Sequence, residues 1–328
     1  MIFLVVNIIA IIVNTLILIA GFKVVLSFVY ADQIVLEFFN KHIVSINNYL
    51  NLHLPALTIE QLPYLLTATA MIIFIGIGIS GPVDTILRYF YGFGRPLPDE
   101  RETFDCNFKI VCEAAGKDYK KFKLYMTDDP MENACALGKN SIALTRRLIK
   151  NCTDEEIQAV LAHEVGHLHY GDTFQLRIFL AATFCGQLMM FLFALIFRAF
   201  FALGKIPIPL VNIFFLFCGG YFWILYWLCQ IIFLTPMAIG SLLGMRHNEY
   251  RADRYAAKLG FSDGLNSFLY EQLENFETPK GLAAFWQTHP TPRQRINKIE
   301  AFENNKLSIL DKFYGLLLSE GWQKAKSN

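Results

Sequence analysis

The chain has 328 residues, of which 54% are hydrophobic and only 17% are charged, and its mean hydropathy is +0.38. Soluble domains have about 45–50% apolar and about 25% charged residues, so this composition indicates an integral membrane protein with a polar part. The net charge of +1 gives no electrostatic support for nucleic-acid binding. The apolar content excludes a disordered chain, and seven scattered cysteines without a CxxC pair do not suit a disulfide scaffold.

Four apolar segments are long enough to cross a bilayer, which takes about 20 helical residues. They comprise residues 1–22, 64–82, 178–203 and 208–244. The first segment lacks a basic start and a small-x-small cleavage site, so we interpret it as an uncleaved anchor rather than a signal peptide. In the fourth segment, Pro236 and the pair Gly219 and Gly220 predict a kink.

Basic residues follow the second and the fourth apolar segments. They are Arg88, Arg95 and Arg101 after the second, and Arg246, Arg251 and Arg254 after the fourth. Because positively charged loops stay on the cytoplasmic side, this bias predicts that the polar regions are cytoplasmic. The predicted parts are an N-terminal transmembrane hairpin (1–82) with an extracytoplasmic loop (30–62), a first cytoplasmic part (83–177), a second transmembrane hairpin (178–244) and a second cytoplasmic part (245–328).

The segment His163-Glu164-Val165-Gly166-His167 is an HExxH pattern. A capping-box pattern from Thr153 to Glu156 predicts where its helix begins. The four-residue spacing places both imidazoles on one helical face, where they can bind one Zn²⁺. Glu164 is rotated by about 100° from His163, which suits a general base acting on metal-bound water. The alternative is a surface helix with two solvated histidines.

A catalytic zinc site needs a third protein ligand and an open fourth position. The candidates downstream are His169, Asp172, His247, Glu249, Asp253 and His289. Glu249 and Asp253 are four residues apart, so we expect Glu249 to bind the metal while Asp253 orients a ligand histidine. The alternative is an exposed helix whose carboxylates pair with Arg246 and Arg254. For the HExxH histidines and Glu249 to bind one ion, the chain must cross the membrane an even number of times between His167 and Glu249.

These motifs resemble those of the HtpX-type membrane zinc endopeptidases and, more distantly, of the CAAX prenyl proteases. The stretch HEVGHLHYGD, which ends at Asp172, is similar to the family's HExxHxxxxD helix, and NEYRAD is similar to its ExxxD motif. Residues 131–138 (MENACALG) are similar to its NAFAxG segment, and residues 289–296 (HPTPRQRI) to its HPxxxxRI motif. The resemblance covers residues 60–300 and implies one zinc ion per chain, with Asp172 and Asp253 supporting the ligands.

The same resemblance implies contacts to the substrate or to the transition state. The residues concerned are Asn133, Ala134, Ala136, His289 and Arg295. We expect residues 133–137 to form an edge strand to which an extended peptide adds by backbone hydrogen bonds; the alternative is an ordinary core strand. His289 would donate to the oxyanion or, alternatively, only begin a helix before Pro290. Cys135 stands where the family usually has Phe.

The predicted fold is a mainly α integral membrane protein with about four transmembrane helices and a cytoplasmic α+β zincin-like metalloprotease domain. The resemblance implies zinc-dependent hydrolysis of peptide bonds in membrane or misfolded proteins at the cytoplasmic face, in quality control and stress response. We expect a multi-pass plasma (inner) membrane protein of a bacterium, in contact with lipid and protein substrates but not with nucleic acid.

Two alternative functions remain at this stage. A CAAX-type prenyl-protein processing protease would have more apolar segments than this chain. A membrane adaptor with a structural zinc site would have cysteines near the ligand motifs and would not need Glu164. Residues 306–319 are expected to form an amphipathic helix that packs on the core or touches lipid.

Overall fold

The computed structural model describes residues 2–29, 31–274 and 289–305. The chain separates into two compact units, each built from two stretches of sequence. The membrane unit joins residues 1–83 with 175–241, and the catalytic unit joins residues 84–174 with 242–328.

Helices dominate both units, and the catalytic unit also contains a small sheet. In chain order the helices are α1 Ile2–Val29, α2 Ala31–Leu50, α3 Leu62–Ile79, α4 Gly81–Phe90, α5 Pro98–Ala114, α6 Arg146–Asn151, α7 Asp154–Tyr170, α8 Asp172–Leu203, α9 Pro209–Cys229, α10 Thr235–Lys258, α11 Ser262–Glu274 and α12 (292–305). The strands are β1 Lys123–Thr127, β2 Ala134–Leu137 and β3 Ser141–Thr145. The amphipathic helix expected at 306–319 lies outside the described residues.

Four helical stretches of the described chain are long and apolar enough to cross a membrane. They are Leu4–Lys23, Leu62–Ile79, Asp172–Leu203 and Pro209–Lys258. Their length and composition agree with the mainly α membrane protein that the sequence predicts.

The segment 30–62, expected as a loop, contains helix α2. Val35, Phe39 and Ile43 recur every four residues and form a half-buried stripe, which is the pattern of an amphipathic helix. The residues after α2 are tied back to it by two asparagines. Asn40 exchanges hydrogen bonds of 3.2 and 2.7 Å with the backbone of Leu57, and Asn47 pairs in the same way with Leu54.

The fourth apolar segment is helical throughout, and it contains a π-helical turn at Gln230–Leu234. Pro236 has no backbone N–H and crowds the preceding turn, so regular α-helical bonding cannot continue there. The Thr235 amide instead donates to the Gln230 carbonyl, five residues back. Gly219 has a packing role, because a Cβ there would lie 3.2 Å from the Phe201 ring on α8.

Helices α3 and α8 pack closely where α3 ends. The Gly78 backbone lies against Ala181, and only a glycine permits that approach. Arg177 on α8 is buried and donates to the carbonyls of Gly78 at 2.9 Å and Ser80 at 2.7 Å. A guanidinium therefore satisfies carbonyl groups that the end of a helix leaves unpaired.

The sheet of the catalytic unit has the strand order β1-β3-β2. The central strand β3 is parallel to β1 and antiparallel to β2, and all its residues are buried. Helix α7 contacts β2 on one side and α5 and α11 on others. The shared core includes Phe104, Phe108, Met126, Ile142 and Leu161, each fully buried. This core holds α7 and β2 side by side.

Candidate metal centre

Helix α7 begins at the capping box that the sequence predicts. The Thr153 hydroxyl accepts from the Glu156 amide at 3.3 Å, and the Glu156 carboxylate accepts from the Thr153 amide at 2.9 Å. The helix ends at Gly171, whose φ of +70° is a conformation that glycine adopts without steric cost. Both ends of the helix that carries the two histidines are thus defined locally.

Gly166, inside the HExxH pattern, allows α7 to approach α10 closely. A Cβ at Gly166 would lie 3.1 Å from Ala252 Cα and 3.2 Å from Tyr255 Cβ. This approach brings the face with His163 and His167 opposite the face with Glu249.

We expect Gly166→Ala to weaken metal binding by on the order of tenfold, although alanine favours a helix by up to about 1 kcal/mol. The added methyl group meets backbone atoms of α10, and overpacking of this kind costs about 1–3 kcal/mol. Chelator competition on the purified protein measures the affinity. Gly220→Ala is the control, since a Cβ there meets no atom within 4 Å. Unchanged affinity in Gly166→Ala would show that helix spacing does not set the site.

Three ligand atoms converge between α7 and α10. The Nε2 atoms of His163 and His167 are 3.1 Å apart. His163 Nε2 lies 3.5 Å from Glu249 Oε2, and His167 Nε2 lies 3.5 Å from Glu249 Oε1. A tetrahedral zinc ion with bonds of about 2.0–2.1 Å separates its ligands by about 3.3 Å. The three measured distances are close to this separation, and nitrogen and carboxylate oxygen are donors that zinc accepts. The residues present fit the metal.

Each histidine is oriented by a carboxylate on its other ring nitrogen. His163 Nδ1 donates to Asp253 at 2.8 Å, and His167 Nδ1 donates to Asp172 at 3.0 Å. With Nδ1 engaged in this way, Nε2 is left for the metal. Asp253 and Asp172 are both buried.

Each of these carboxylates is in turn held by an arginine. Arg295 forms a two-pronged contact with Asp253, at 3.0 and 2.6 Å. Arg251 donates to Asp172, and its guanidinium lies 4.4 Å from the centre of the Tyr170 ring. These charged contacts restrict both partners, so an Asp–Arg pair holds each of the two histidines in place.

The carboxylates around the two rings favour positive charge. Burial by itself lowers the pKa of His167, but hydrogen bonds to Asp172 and Glu249 raise it to about 10. For His163, burial and the Arg295 charge lower the pKa, while hydrogen bonds to Asp253 and Glu249 raise it above its usual value. The same negative surroundings favour a bound cation.

Glu164 follows His163 on α7 and is buried. Burial, followed by the nearby Glu164 charge, raises the pKa of the Cys135 thiol to about 12. Glu164 therefore lies near β2, the strand on which the predicted substrate residues stand.

Strand β2 is an edge strand, as expected, since it pairs with β3 on one side and ends the sheet order. Ala134 pairs with Leu144, and Ala136 pairs with Ile142. Asn133 precedes the strand, and its side-chain oxygen accepts from the Ala134 amide at 2.8 Å.

His289 and Arg295 both reach the ligand Glu249. His289 Nδ1 lies 3.1 Å from Glu249, with 70% of the histidine side chain exposed. Arg295 Nη1 lies 3.7 Å from Glu249, but its closer contacts are with Asp253, so its charge supports the ligands. Helix α12 has its own capping box at Thr291 and Gln294. The candidates His169 and His247 lie elsewhere. The His169 ring is tilted against the Tyr255 ring at 4.9 Å between centroids, and His247 is exposed.

Residues 98–303 match the family model described as "Peptidase family M48". The chain belongs to peptidase family M48. Curated proteins similar to this chain include ones named Protease HtpX homolog. The one from Sulfurovum sp. (strain NBC37-1) is 29% identical over 211 residues, which are 55% of this chain and 69% of the relative. The one from Polynucleobacter necessarius subsp. necessarius (strain STIR1) is 24% identical over 214 residues, which are 56% of this chain and 68% of the relative.

A solved structure, Ste24p of S. mikatae, aligns with a TM-score of 0.46 at 20% identity. The alignment covers 86% of this chain and 66% of Ste24p, which is slightly less than two thirds. The family M48 match and the HtpX relatives confirm the resemblance seen in the motifs. They support a membrane-embedded metalloprotease and favour neither the prenyl-processing nor the adaptor alternative.

Sequence reasoning missed Arg251 and Gly166, although both stand inside the two metal motifs. Arg251 could have been noticed as a cation on the helical turn between Glu249 and Asp253. Its partner Asp172 is 79 positions away, however, and no local pattern links the two. The role of Gly166 likewise depends on the backbone of a distant helix.

We expect Arg251→Met to lower the metal affinity of this M48 peptidase by about 10–100-fold, as loss of a group behind a ligand does. Asp172 would lose the contact that holds it against His167. Arg251→Lys should recover only part of the affinity, because lysine keeps the charge but has no planar group to lie over the Tyr170 ring. Arg254→Met is the control. Arg254 is on the same helix as Arg251, but its guanidinium lies over the Phe302 ring. Equal affinities in the Arg251 and Arg254 variants would contradict the orienting role.

Proposed function

We propose that this M48 peptidase is a zinc-dependent endopeptidase with one zinc ion per chain. The observation that supports it best is the triangle of His163, His167 and Glu249. The two Nε2 atoms are 3.1 Å apart, and each lies 3.5 Å from its nearer Glu249 oxygen. The buried Glu164 beside this triangle favours a catalytic over a structural metal site.

Bound at these ligands, zinc would polarise the scissile carbonyl and lower the pKa of a water molecule toward neutrality. Glu164 takes a proton from the attacking water onto a carboxylate oxygen and later passes a proton to the nitrogen of the leaving amine. The contacts from Asp253 and Asp172 keep the two imidazole rings in place through this cycle. We assign His289 as a donor to the oxyanion, a role supported by its contact with Glu249.

We propose that an extended peptide adds to the free edge of β2. The backbone would provide the binding energy, and the small side chains of Ala134, Cys135 and Ala136 would select weakly among substrates. Asn133 fixes the start of this strand through its bond to the Ala134 amide. Broad selectivity suits the hydrolysis of misfolded or membrane proteins in quality control.

The proposed topology has transmembrane hairpins within 1–82 and 178–244 and cytoplasmic catalytic parts at 83–177 and 245–328. Four candidate spans and the arginines after the second and fourth apolar segments support it. The proposed location is the plasma (inner) membrane of a bacterium. Protease treatment of sealed, right-side-out vesicles should leave 83–177 intact, and cleavage there would reverse the orientation.

Metal analysis combined with a hydrolysis assay on the detergent-solubilised full chain tests the function. We expect one zinc per chain, with casein hydrolysis or self-cleavage that stops on chelation and returns with added zinc. A protein that holds zinc but hydrolyses no peptide bond would instead support the adaptor with a structural site.

A further inference from the structure

The segment that leads from α3 into the catalytic unit exposes a run of aromatic side chains. Tyr89, Phe90 and Tyr91 are 85%, 78% and 62% exposed, and Ile86 is 52% exposed. Ile86, Tyr89 and Phe90 stand at positions i, i+3 and i+4 of α4, so they share one helical face. Together with Tyr91, which follows the helix, these residues are here termed the aromatic face. Exposed apolar residues grouped in this way usually mark an interaction site.

The opposite side of α4 is fastened to the catalytic unit, which fixes the direction of the aromatic face. Arg88 donates to the Tyr125 hydroxyl, and its guanidinium lies 4.9 Å from the centre of the Tyr125 ring. After the helix, Gly94 and Met126 exchange backbone hydrogen bonds of 2.8 and 2.9 Å. The exposure of the aromatic face therefore does not reflect a helix without packing partners.

We propose that the aromatic face binds the headgroup region of the lipid bilayer. Helix α3, one of the apolar helices long enough to cross a membrane, ends at Ile79, and α4 begins two residues later at Gly81. Helix α4 has ten residues and is thus about 15 Å long, so the chain keeps the aromatic face near the end of α3.

The chemistry of the segment fits a lipid surface better than a protein partner. Aromatic side chains are enriched at the interface between hydrocarbon and water, where ring and hydroxyl are both accommodated. The exposed Arg95 follows four residues after Tyr91. Apolar side chains next to arginines complement a surface of anionic headgroups. The proposal is independent of the catalytic mechanism.

Photo-crosslinking of the full chain in nanodiscs of phosphatidylethanolamine and phosphatidylglycerol tests the proposal. With p-benzoylphenylalanine in place of Phe90, we expect lipid adducts on the peptide that contains residue 90, identified by mass spectrometry. The control carries the same label in place of Tyr270, a 45% exposed aromatic residue on α11, and should give no lipid adduct. A crosslink from position 90 to a protein chain, or no lipid adduct there, would overturn the proposal.

A second comparison separates binding from mere nearness to the membrane. The label is placed at Ile86, either in the otherwise unchanged chain or together with Tyr89→Ser, Phe90→Ser and Tyr91→Ser. We expect the yield of lipid adducts at position 86 to fall several-fold in the triple variant, because the side chains that hold the segment against the headgroups are gone. An equal yield would mean that the aromatic side chains do not contribute to binding.

Discussion

Glu164→Gln is expected to lower turnover by about 10²–10⁴-fold while the zinc content stays at that of the unchanged protein, since general-base catalysis contributes a factor of this size. Glutamine has nearly the same shape but cannot take a proton from the attacking water. Glu164 lies beside the ligand triangle and is not part of it, so the metal should remain. The measurement is kcat on a peptide substrate together with metal analysis of the same sample.

Glu155→Gln is the matched control, because Glu155 is on the same helix and is exposed. Its turnover should equal that of the unchanged chain. If Glu164→Gln retained turnover near that level, Glu164 would not be the base, and the proposed mechanism would have to be abandoned.

Glu249→Gln is expected to remove zinc and activity together. The substitution replaces a charged carboxylate ligand by a neutral amide, which binds zinc weakly. The loss of zinc affinity should exceed the roughly 10–100-fold loss that is typical when a residue hydrogen-bonded to a ligand is removed. Glu249 also contacts His289 and Arg295, so its charge contributes to their placement. Stoichiometric zinc in the purified variant would show that another residue is the third ligand.

Comparison of the two variants separates their roles. Both should be nearly inactive, but only Glu249→Gln should lose metal, and excess zinc in the assay should restore activity only to that variant. Glu113→Gln, at an exposed position of α5, controls for the removal of one carboxylate charge from the catalytic unit.

The parts of the site that could be predicted from sequence are those encoded within one or two helical turns. The capping box at Thr153 and Glu156 located the start of α7, and four-residue spacing placed His163 with His167 on one face. The same spacing put Glu249 and Asp253 on one side of α10, where the structure brings them to the histidines.

Features that depend on contacts between distant stretches were not predictable in this way. The contacts of Gly166 with Ala252, and of Arg251 with Asp172, arise only when two helices meet. In the membrane unit, helix α2 was not predicted within 30–62. The apolar stripe of Val35, Phe39 and Ile43 on α2 is interrupted by polar residues. The sequence also could not predict how the helix accommodates Pro236, because both a kink and a π-helical turn can compensate for the hydrogen bond that proline cannot donate.

The catalytic unit is assembled from two stretches of chain, and the metal site joins them. His163 and His167 come from the first stretch, while Glu249 and Asp253 come from the second. A protein nicked in the turn around residue 205, between α8 and α9, would therefore still carry every ligand. The two fragments would reconstitute the centre only by associating, and bound zinc would then act as the crosslink between them.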